Sequence, residues 1–373
     1  METTKRPIRV IAFYLPQYHP IPENDQWWGK GFTEWTNVGN AKPLFRGHYQ
    51  PRVPADLGYY DLRLPQTRIE QAEMAKKYGV EGFCYWHYWF GNGRQLLERP
   101  FKEVLESGQP DFPFCLGWAN ESWQDKQFSK IGTHRVLMEQ LYPGEADHIA
   151  HFNTILPAFK DSRYIRIDNK PIFMVYKPFD LPNANQFIEL WQKLARQNGL
   201  KGIHFIAHSA NNQDIPILKD WGFDAVNIVR LFHFFQKDLS FFEKIKTKLL
   251  RVVSKRGRII EYDRAAKFFA DVKDRDTDVY PTIIPNWDHS PRSYTRGHIL
   301  INSTPEKFKK HILQTFANVL HKEYDKRIVF LKSWNEWGEG NYMEPDLKFG
   351  LAYCEALNEA LNDVASLPKI QEK

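Results

Sequence analysis

The sequence has little cysteine and no long apolar run. Its three cysteines, Cys84, Cys115 and Cys354, are odd in number and far apart, which argues against a disulfide-stapled fold. No stretch approaches the 18 or so apolar residues that a membrane helix needs, and the first residues do not read as a signal peptide. We therefore expect a cytoplasmic protein, with peripheral contact to the inner membrane as an open alternative.

Sequence motifs of several enzyme classes are also missing. No GxGxxG turn follows the first predicted strand, and the chain contains neither an HExxH nor a GxSxG motif. His19, His87 and His208 follow or end predicted strands and are expected to be neutral hydrogen-bonding side chains. We expect no metal and no cofactor. The formal charge of +6 is mild, and without a zinc knuckle or basic tail it does not indicate nucleic-acid binding.

Aromatic residues are abundant instead. The chain has 12 Trp, 17 Tyr and 27 Phe, and many of the Trp and Tyr lie beside polar residues rather than within apolar runs. Aromatic rings with a polar edge suit ligands that combine apolar faces with hydroxyl groups. Sugars are the commonest ligands of that kind.

Short apolar runs alternate with helical patterns along the whole chain. This order predicts an α/β protein, a (β/α)8 TIM barrel formed by residues 1–373 as a single domain with elaborated βα loops. A doubly wound open sheet is the alternative. The predicted strands are Ile8–Tyr14, Val80–Trp86, Phe114–Trp118, Pro171–Tyr176, Gly202–His208, Ala225–Val229, Tyr280–Pro285 and Arg327–Trp334. The predicted helices are Gln66–Tyr78, Gln95–Ser107, Ala146–Phe159, Asn185–Asn198, Asp214–Trp221, a stretch within Leu239–Lys273, Pro305–His321 and Gly350–Val364.

Polar and aromatic residues collect at the carboxyl ends of the predicted strands, where a barrel enzyme has its active site. The segment Trp334-Asn335-Glu336-Trp337-Gly338-Glu339 follows the last strand. Cleavage of a glycosidic bond generally needs two carboxyl groups, and tryptophan walls can raise the pKa of one of them. Glu336 and Glu339 are therefore the predicted catalytic pair, although two solvated loop glutamates remain the simpler alternative.

Other strand ends supply further candidates. Asn120 and Glu121 are suited to binding a sugar hydroxyl, to protonating a glycosidic oxygen, or to a structural hydrogen bond. Asp288 and Arg292 are expected either to orient hydroxyls or to form a loop salt bridge. In the long loop after the first strand, Trp28 is expected to stack on a sugar ring or to pack as part of a lid.

The segment 244–258 is basic and amphipathic. It is expected to be a solvated outer helix or loop, and adhesion to an anionic membrane face is the functional alternative.

Four motifs together resemble one known family. They are Phe13-Tyr14-Leu15-Pro16-Gln17-Tyr18-His19, Gly31-Phe32-Thr33-Glu34-Trp35, Trp118-Ala119-Asn120-Glu121 and Trp334-Asn335-Glu336-Trp337-Gly338-Glu339. From about Arg9 to Leu361 the chain resembles the WbsX-like polysaccharide-biosynthesis proteins, which are related to glycoside hydrolase family 99.

The resemblance implies a retaining, endo-acting glycosidase or transglycosidase that works on a bacterial surface polysaccharide or its precursor. It implies that Glu336 is the base for the 2-hydroxyl of the substrate, giving a 1,2-anhydro sugar, and that Glu339 is the general acid. A sugar-nucleotide glycosyltransferase and an inactive glycan-binding barrel remain alternatives, and the sequence does not indicate an oligomeric state. The residues expected to contact sugar are Tyr14, Gln17, Tyr18, Trp28, Glu34, Trp35, Tyr85, His87, Tyr88, Trp118, Asn120, Glu121, His208, Asp288, Arg292, Trp334, Asn335 and Trp337.

Overall fold

A computed structural model describes residues 6–125, 135–234 and 258–366 of the 373-residue chain. Eight buried strands, rich in β-branched and aromatic residues, lie side by side and parallel. We label them β1 (Arg9–Tyr14), β2 (Gly82–Trp89), β3 (Phe114–Trp118), β4 (Lys170–Val175), β5 (His204–Ser209), β6 (Ala225–Ile228), β7 (Val279–Ile283) and β8 (Ile328–Leu331).

Hydrogen-bond pairing closes these strands into a barrel. Each strand pairs with its successor in the chain, and β8 returns to pair with β1. Ile11 of β1 is in register with Gly82 of β2 on one side and with Phe330 of β8 on the other. The predicted (β/α)8 barrel is therefore confirmed, and the open sheet is excluded. That residues 1–373 form a single domain stays a prediction.

Helices occupy the connections between the strands. Within the described residues the α-helices are Pro22–Trp28, Glu34–Asn40, Pro65–Lys77, Arg99–Ser107, Glu145–Lys160, Ala184–Gln197, Asp214–Asp220, Tyr262–Ala266, Ser290–Ser293, Pro305–Val319 and Ala352–Ala365. Most lie close to their predicted positions. In the ranges 6–125, 135–234 and 258–366, no helix is long and apolar enough to cross a membrane.

One helix prediction needs correction, and another falls partly outside the described residues. The predicted helix Gln95–Ser107 begins only at Arg99, because Gln95 and Leu96 pair antiparallel with the end of β2. The predicted stretch within Leu239–Lys273 lies outside the described residues up to 257. From there a short strand, Arg258–Glu261, pairs with His298–Ile301, and the helix Tyr262–Ala266 follows within the predicted range. The basic segment 244–258 likewise lies outside the described residues, apart from Arg258.

An aromatic stack runs through the interior of the barrel. The ring of Phe330 on β8 stacks on Phe13 of β1 with centroids 5.1 Å apart, and Phe13 stacks on Trp86 of β2 at 4.8 Å with the ring planes 5° apart. Phe13 and Phe330 are fully buried, whereas Trp86 is partly exposed. The stack thus leads from the apolar core to the partly exposed Trp86, towards the carboxyl ends of the strands.

The connection from β1 to β2 is the longest of the βα loops that the structure describes in full. It wraps against the segment after β8, since the backbone N–H of Ala55 donates to the carbonyl of Pro345 at 2.9 Å and that of Leu347 to Val53 at 3.0 Å. The first and last connections of the barrel are therefore joined at its carboxyl end.

Candidate active site

A short hairpin after β8 presents the two predicted catalytic glutamates. Asn335 and Glu336 pair antiparallel with Tyr342 and Asn341, and a single 3-10 turn joins the two sides. Gly340 closes this turn with φ +61°, in the left-handed region that favours glycine, and a Cβ there would lie 2.7 Å from the Cβ of Asp288. The tight turn brings Glu336 and Glu339 to the same side of the hairpin, facing a cleft.

The cleft has a volume of about 310 Å³ and opens at the carboxyl end of the barrel. Eight of the residues predicted from sequence line it, namely Gln17, Trp28, Glu34, Tyr88, Glu121, Arg292, Glu336 and Glu339. Both predicted catalytic carboxyls are therefore in one cavity with charged and aromatic neighbours. Its volume is at the lower end of the range for small-molecule sites.

One guanidinium group joins three carboxylates in the cleft. Arg292 Nη2 lies 2.6 Å from Oε1 of Glu336, and its Nη1 lies 2.8 Å from Oε1 of Glu339. The same group contacts Glu34 twice, with Nη2 3.0 Å from Oε1 and Nε 3.1 Å from Oε2. The planar fork of arginine is suited to such multiple recognition, which a single ammonium group cannot reproduce.

The two catalytic candidates have opposite pKa shifts. Burial raises the pKa of Glu336 to about 7, with Arg292 opposing this effect and the charges of Glu339 and Glu34 adding to it. Burial alone would also raise the pKa of Glu339, but the charge of Arg292 and a hydrogen bond from His289 lower it to about 2. Between its pKa values of about 2 and about 7 the pair therefore holds one proton, and these shifts favour its location on Glu336.

Glu34 is placed beside this pair by a helix cap. The Thr33 hydroxyl accepts from the backbone N–H of Trp35 at 3.2 Å, and the Thr36 hydroxyl accepts from that of Thr33 at 3.4 Å, which fixes the start of helix Glu34–Asn40. Glu34 is only 2% exposed. The close approach of its carboxylate to the backbone of Gly338 leaves no space there for a Cβ.

Twelve of the residues predicted to contact sugar do not line the cleft, and their contact with sugar stays a prediction. The side chains of three of them point from their strands away from the cleft. The Tyr14 hydroxyl donates to Gln71 at 2.7 Å, the Tyr85 ring packs on Phe101, and His87 Nε2 lies 2.9 Å from His151 Nε2. Successive side chains of a strand point to opposite faces, so Tyr85 and His87 face the helices, whereas Trp86 and Tyr88 face the cleft.

Five others form the scaffold behind the catalytic turn. Tyr18 Oη donates to the carbonyl of Asn335 at 2.6 Å and accepts from the backbone N–H of Trp337 at 3.0 Å. The Asn335 amide makes two hydrogen bonds with the backbone of Leu15, at 2.8 and 3.0 Å. Trp35 packs on Trp337 with centroids 5.5 Å apart, and Trp334 is completely buried against Phe83.

The remaining four predicted residues, Asn120, Trp118, His208 and Asp288, form hydrogen bonds with neighbouring elements. Asn120 bonds the backbone of Lys177 through both ends of its amide, at 2.7 and 2.9 Å, and thereby fixes the backbone next to Glu121. The Trp118 indole donates to a carbonyl, and His208 Nδ1 lies 2.8 Å from the Asn227 side-chain oxygen. Burial lowers the pKa of His208 to about 3.

Asp288 does not pair with Arg292, the alternative raised from the sequence. Its carboxylate lies 2.8 Å from His48 Nε2 and 2.7 Å from Gln50 Nε2, and its backbone N–H donates to the carbonyl of Glu339 at 2.7 Å. Although burial alone would raise it, the hydrogen bond from His48 and the nearby charge of Arg52 lower the pKa of Asp288 to about 2. Asp288 therefore anchors the catalytic turn from behind.

Sequence reasoning missed several residues of the cleft. Trp86, Tyr176 and Trp123 contribute aromatic surface, and Lys332 and His289 contribute polar groups close to Glu339. His289 Nε2 lies 3.5 Å from Oε1 of Glu339. Trp86, Trp123 and Tyr176 are among the aromatic residues at and after the ends of predicted strands, and the two-residue periodicity of β2 selects Trp86. No local pattern indicates Lys332 and His289.

A second buried carboxylate, Glu344, lies behind the turn and was not predicted. It is 2% exposed and accepts hydrogen bonds from Trp337 Nε1 at 2.7 Å, Tyr60 Oη at 2.8 Å and Gln71 Nε2 at 2.6 Å. Burial raises its pKa to about 7. Among the described residues no group of three or more His, Cys, Asp or Glu side chains is arranged to hold a metal ion.

Comparison with known proteins gives a family and a fold. The model of the family described as "Glycosyltransferase WbsX" matches residues 10–357. Two proteins from strains of Xanthomonas campestris pv. campestris, each called "Uncharacterized protein WxcX", are 37% identical over 366 residues, or 96% of this chain. The alignment covers 51% of those proteins, so the chain spans about half the length of the curated relatives it matches.

Solved structures share the barrel at low sequence identity. A GH99 endo-alpha-mannosidase from Bacteroides thetaiotaomicron superposes with a TM-score of 0.57 at 12% identity, covering 96% of this chain and 97% of the other. A structure described as a glycoside hydrolase-like protein gives a TM-score of 0.61 at 14% identity, covering 97% and 95%. At such identities the similarity is one of fold.

Proposed function

The chain belongs to the glycosyltransferase WbsX family, and we propose that it is a glycan-cleaving enzyme whose catalytic groups are Glu336 and Glu339. The substrate class that we propose is a bacterial surface polysaccharide or its precursor, cut internally with retention of configuration or transferred to another sugar. The observation that carries this proposal is the bridging of both carboxyls by Arg292 within one cleft, at 2.6 and 2.8 Å.

Retention of configuration is proposed from the resemblance to family 99. Retaining glycosidases have their carboxyls about 5–5.5 Å apart, whereas inverting enzymes separate them by about 6.5–9.5 Å to admit a water molecule. The shared contact with Arg292 keeps both carboxyls in one cleft but is compatible with the first range and with the lower end of the second, so it does not select between them.

The ionisation of the pair supports acid–base catalysis. One carboxyl must supply a proton to the leaving oxygen while the other removes one, and divergent pKa values provide such a division. The pKa of Glu336 is raised to about 7 and that of Glu339 is lowered to about 2, which favours the proton on Glu336 and the charge on Glu339. The resemblance assigns the acid role to Glu339 instead. With Glu339 as the acid the pair still holds one proton, but this proton lies on Glu339 rather than on Glu336. The bound glycan must then weaken the contact between Arg292 and Glu339.

The aromatic floor supports a sugar ligand. Trp86 lines the cleft and is held by its stacking on Phe13 at 4.8 Å, so it offers an aromatic surface for the apolar side of a pyranose. Tyr176 packs edge-on against Trp86 at 5.2 Å and extends this surface towards Glu121 and Lys177 at the rim. Polar groups on one wall and rings on the floor match the two kinds of surface of a sugar.

The family description also suggests a sugar-nucleotide glycosyltransferase. Two Asp-x-Asp spacings occur, at Asp274–Asp276 and Asp276–Asp278, and such spacings can hold a metal-bound nucleotide. They precede β7, and none of the three aspartates lines the cleft. Asp274 is buried against Arg230 at 2.6 Å, and Asp278 pairs with Lys219 at 2.6 Å. This location supports the glycosidase proposal over the transferase.

The proposal is tested by incubating the protein with oligosaccharides prepared from bacterial surface polysaccharides, with and without sugar nucleotides. Internal α-mannosides are included because a structural neighbour is an endo-alpha-mannosidase. We expect cleavage without a sugar nucleotide, retention of configuration by NMR, and loss of cleavage in Glu336→Gln and Glu339→Gln. Turnover only with a sugar nucleotide, or near-full activity in either variant, would contradict the proposal.

The two roles are separated by the leaving group. A substrate with a dinitrophenyl leaving group needs no proton donor, so the variant that lacks the acid keeps activity on it and the variant that lacks the base does not. The comparison of Glu336→Gln with Glu339→Gln on such a substrate therefore assigns the acid directly.

A further inference from the structure

Glu344 is a carboxylate in an unusual position. Its side chain lies behind the catalytic hairpin, away from the cleft, and is 2% exposed. In the part of the chain that the structure describes, none of the ion pairs includes Glu344. Its partners are three neutral donors, with the indole N–H of Trp337 and the hydroxyl of Tyr60 sharing Oε2 and the amide of Gln71 donating to Oε1.

A carboxylate without a cation is costly to bury. Removing it from water disfavours its charged form, which is why the pKa of Glu344 is raised to about 7. An apolar side chain of the same volume in this position would avoid that cost. A role beyond packing is therefore needed to account for the acid group.

Trp337 links Glu344 to the reacting groups. It lies between Glu336 and Glu339 in the chain, and no part of it is exposed. One side of its indole stacks on Tyr342 at 3.7 Å with the ring planes 12° apart. Stacking and burial fix the plane of the ring but make no directional contact with its N–H. The hydrogen bond of 2.7 Å from Nε1 to Glu344 supplies that contact.

We propose that Glu344 is a positioning residue, which holds the Glu336–Glu339 turn in its reactive geometry by accepting the indole hydrogen of Trp337. That the turn carries catalytic groups rests on the proposed function. The contact between Glu344 and Trp337 can be tested without measuring turnover. Catalytic groups must be held within about 0.5 Å of their productive positions, and a misplacement of about 1 Å can cost on the order of 10²-fold in rate.

The test compares variants that remove different parts of the same contact. Trp337→Phe keeps an aromatic ring for stacking but removes the N–H along with part of the indole, and Glu344→Met removes the acceptor at similar volume. Glu344→Gln keeps an oxygen for Trp337. Tyr60→Phe is the matched control, because Tyr60 donates to the same oxygen of Glu344 at 2.8 Å but is not part of the turn. Thermal unfolding of each variant reports the general cost of disturbing this buried site.

We expect kcat to fall by about 10-fold or more in Trp337→Phe and Glu344→Met with little change in KM, while Glu344→Gln and Tyr60→Phe stay within about threefold of the parent. The double variant Glu344→Met/Trp337→Phe is expected to be no slower than the slower single variant, because both remove one contact. Equal losses in Tyr60→Phe and Trp337→Phe, or additive losses in the double variant, would show a merely structural role.

Hydrogen exchange separates this inference from the proposed function. The backbone N–H groups of Gly340 and Met343 are bonded to Trp337 and Trp334 at 3.0 and 2.9 Å. Glu344→Met is expected to speed exchange in a peptide that covers 335–343 and to leave the peptide that covers β4 unchanged, whether or not a substrate is known. Unchanged exchange at 335–343 would overturn the positioning role, and failure of every glycan assay would overturn the proposed function alone.

Discussion

Glu34 and Arg292 meet in a two-point ion pair although 257 residues separate them in the chain. Arg292 Nε and Nη2 lie 3.1 and 3.0 Å from the two oxygens of Glu34, and both side chains are largely buried. Glu34 begins a helix in the long connection after β1, and Arg292 lies in the connection after β7. Their contact orients the guanidinium group so that its remaining donors reach Glu336 and Glu339.

Replacing Arg292 by leucine is expected to leave three carboxylates without their shared cation. The pKa of Glu339 then rises because its main stabilising charge is lost. We expect kcat/KM to fall by at least about 10²-fold and the free energy of unfolding at pH 8 to fall by about 3–5 kcal/mol. Kinetics on a cleaved glycan and denaturant unfolding measure the two effects.

The control for this change is the double variant Arg292→Leu/Glu34→Gln. Removing one of the repelling carboxylates should restore part of the stability at pH 8 without restoring turnover. Full stability in Arg292→Leu alone would contradict the proposed charge balance.

Gly338→Ala is expected to inactivate the enzyme by a steric route. A Cβ at position 338 collides with the carboxylate of Glu34 and lies 2.9 Å from Arg292 Nε, so this ion pair must shift. We expect a loss of about 1–3 kcal/mol in stability and a larger relative loss in kcat. Gly39→Ala is the matched control, because nothing lies within 4 Å of a Cβ there, and it should leave kcat unchanged.

The pH profile should fall on its alkaline side. The carboxyl pair holds one proton between its pKa values of about 2 and about 7, and both assignments of the acid role need that proton. We therefore expect kcat/KM to fall about tenfold per pH unit as the pH rises above about 7. Glu344 also has a pKa of about 7, so the profile of Glu344→Gln serves as the control and should keep the same limb. A rise in kcat/KM through pH 7 would contradict the single-proton pair.

The two glutamates that we propose as catalytic, Glu336 and Glu339, should affect stability in opposite directions. The pKa of Glu336 is raised above its usual 4.5, so its ionisation reduces stability as the pH rises from about 4.5 to about 7. The pKa of Glu339 is lowered to about 2, so it contributes stability that is present above pH 4.5 and lost as the pH falls towards 2. At pH 8 we expect Glu336→Gln to be more stable than the parent by about 1–3 kcal/mol and Glu339→Gln to be less stable by a similar amount. Urea unfolding at pH 8 and pH 4 measures both, and equal signs at pH 8 would contradict the assignment.

The barrel could be predicted from sequence because its strands carry a local signal. Short apolar runs at regular spacing, such as Phe114–Trp118, became strands with the expected bounds. The carboxyl ends of parallel strands necessarily meet at one face of the barrel, so the position of Glu336 and Glu339 in a common cleft followed from the fold.

The contacts of the site could not be predicted in the same way. Arg292, Glu34 and Glu336 lie in three different connections of the barrel. No periodicity of the sequence indicates which residues of different loops will contact each other. Asp288 was weighed as a partner of Arg292 from nearness in sequence, but its carboxylate is taken by His48 and Gln50 from the β1 connection. Glu344 lies beyond the catalytic motif, where an isolated glutamate resembles any surface residue until its burial is seen.

The alternation of side chains along β2 also has a practical use in protein engineering. Positions 86 and 88 face the cleft, whereas Tyr85 and His87 are committed to contacts with the surrounding helices. A mutant library intended to change which sugar is accepted should therefore randomise the even-numbered positions and keep their odd-numbered neighbours. Substitutions at 85 or 87 are expected to impair folding, because those side chains contact other buried side chains and not the cleft.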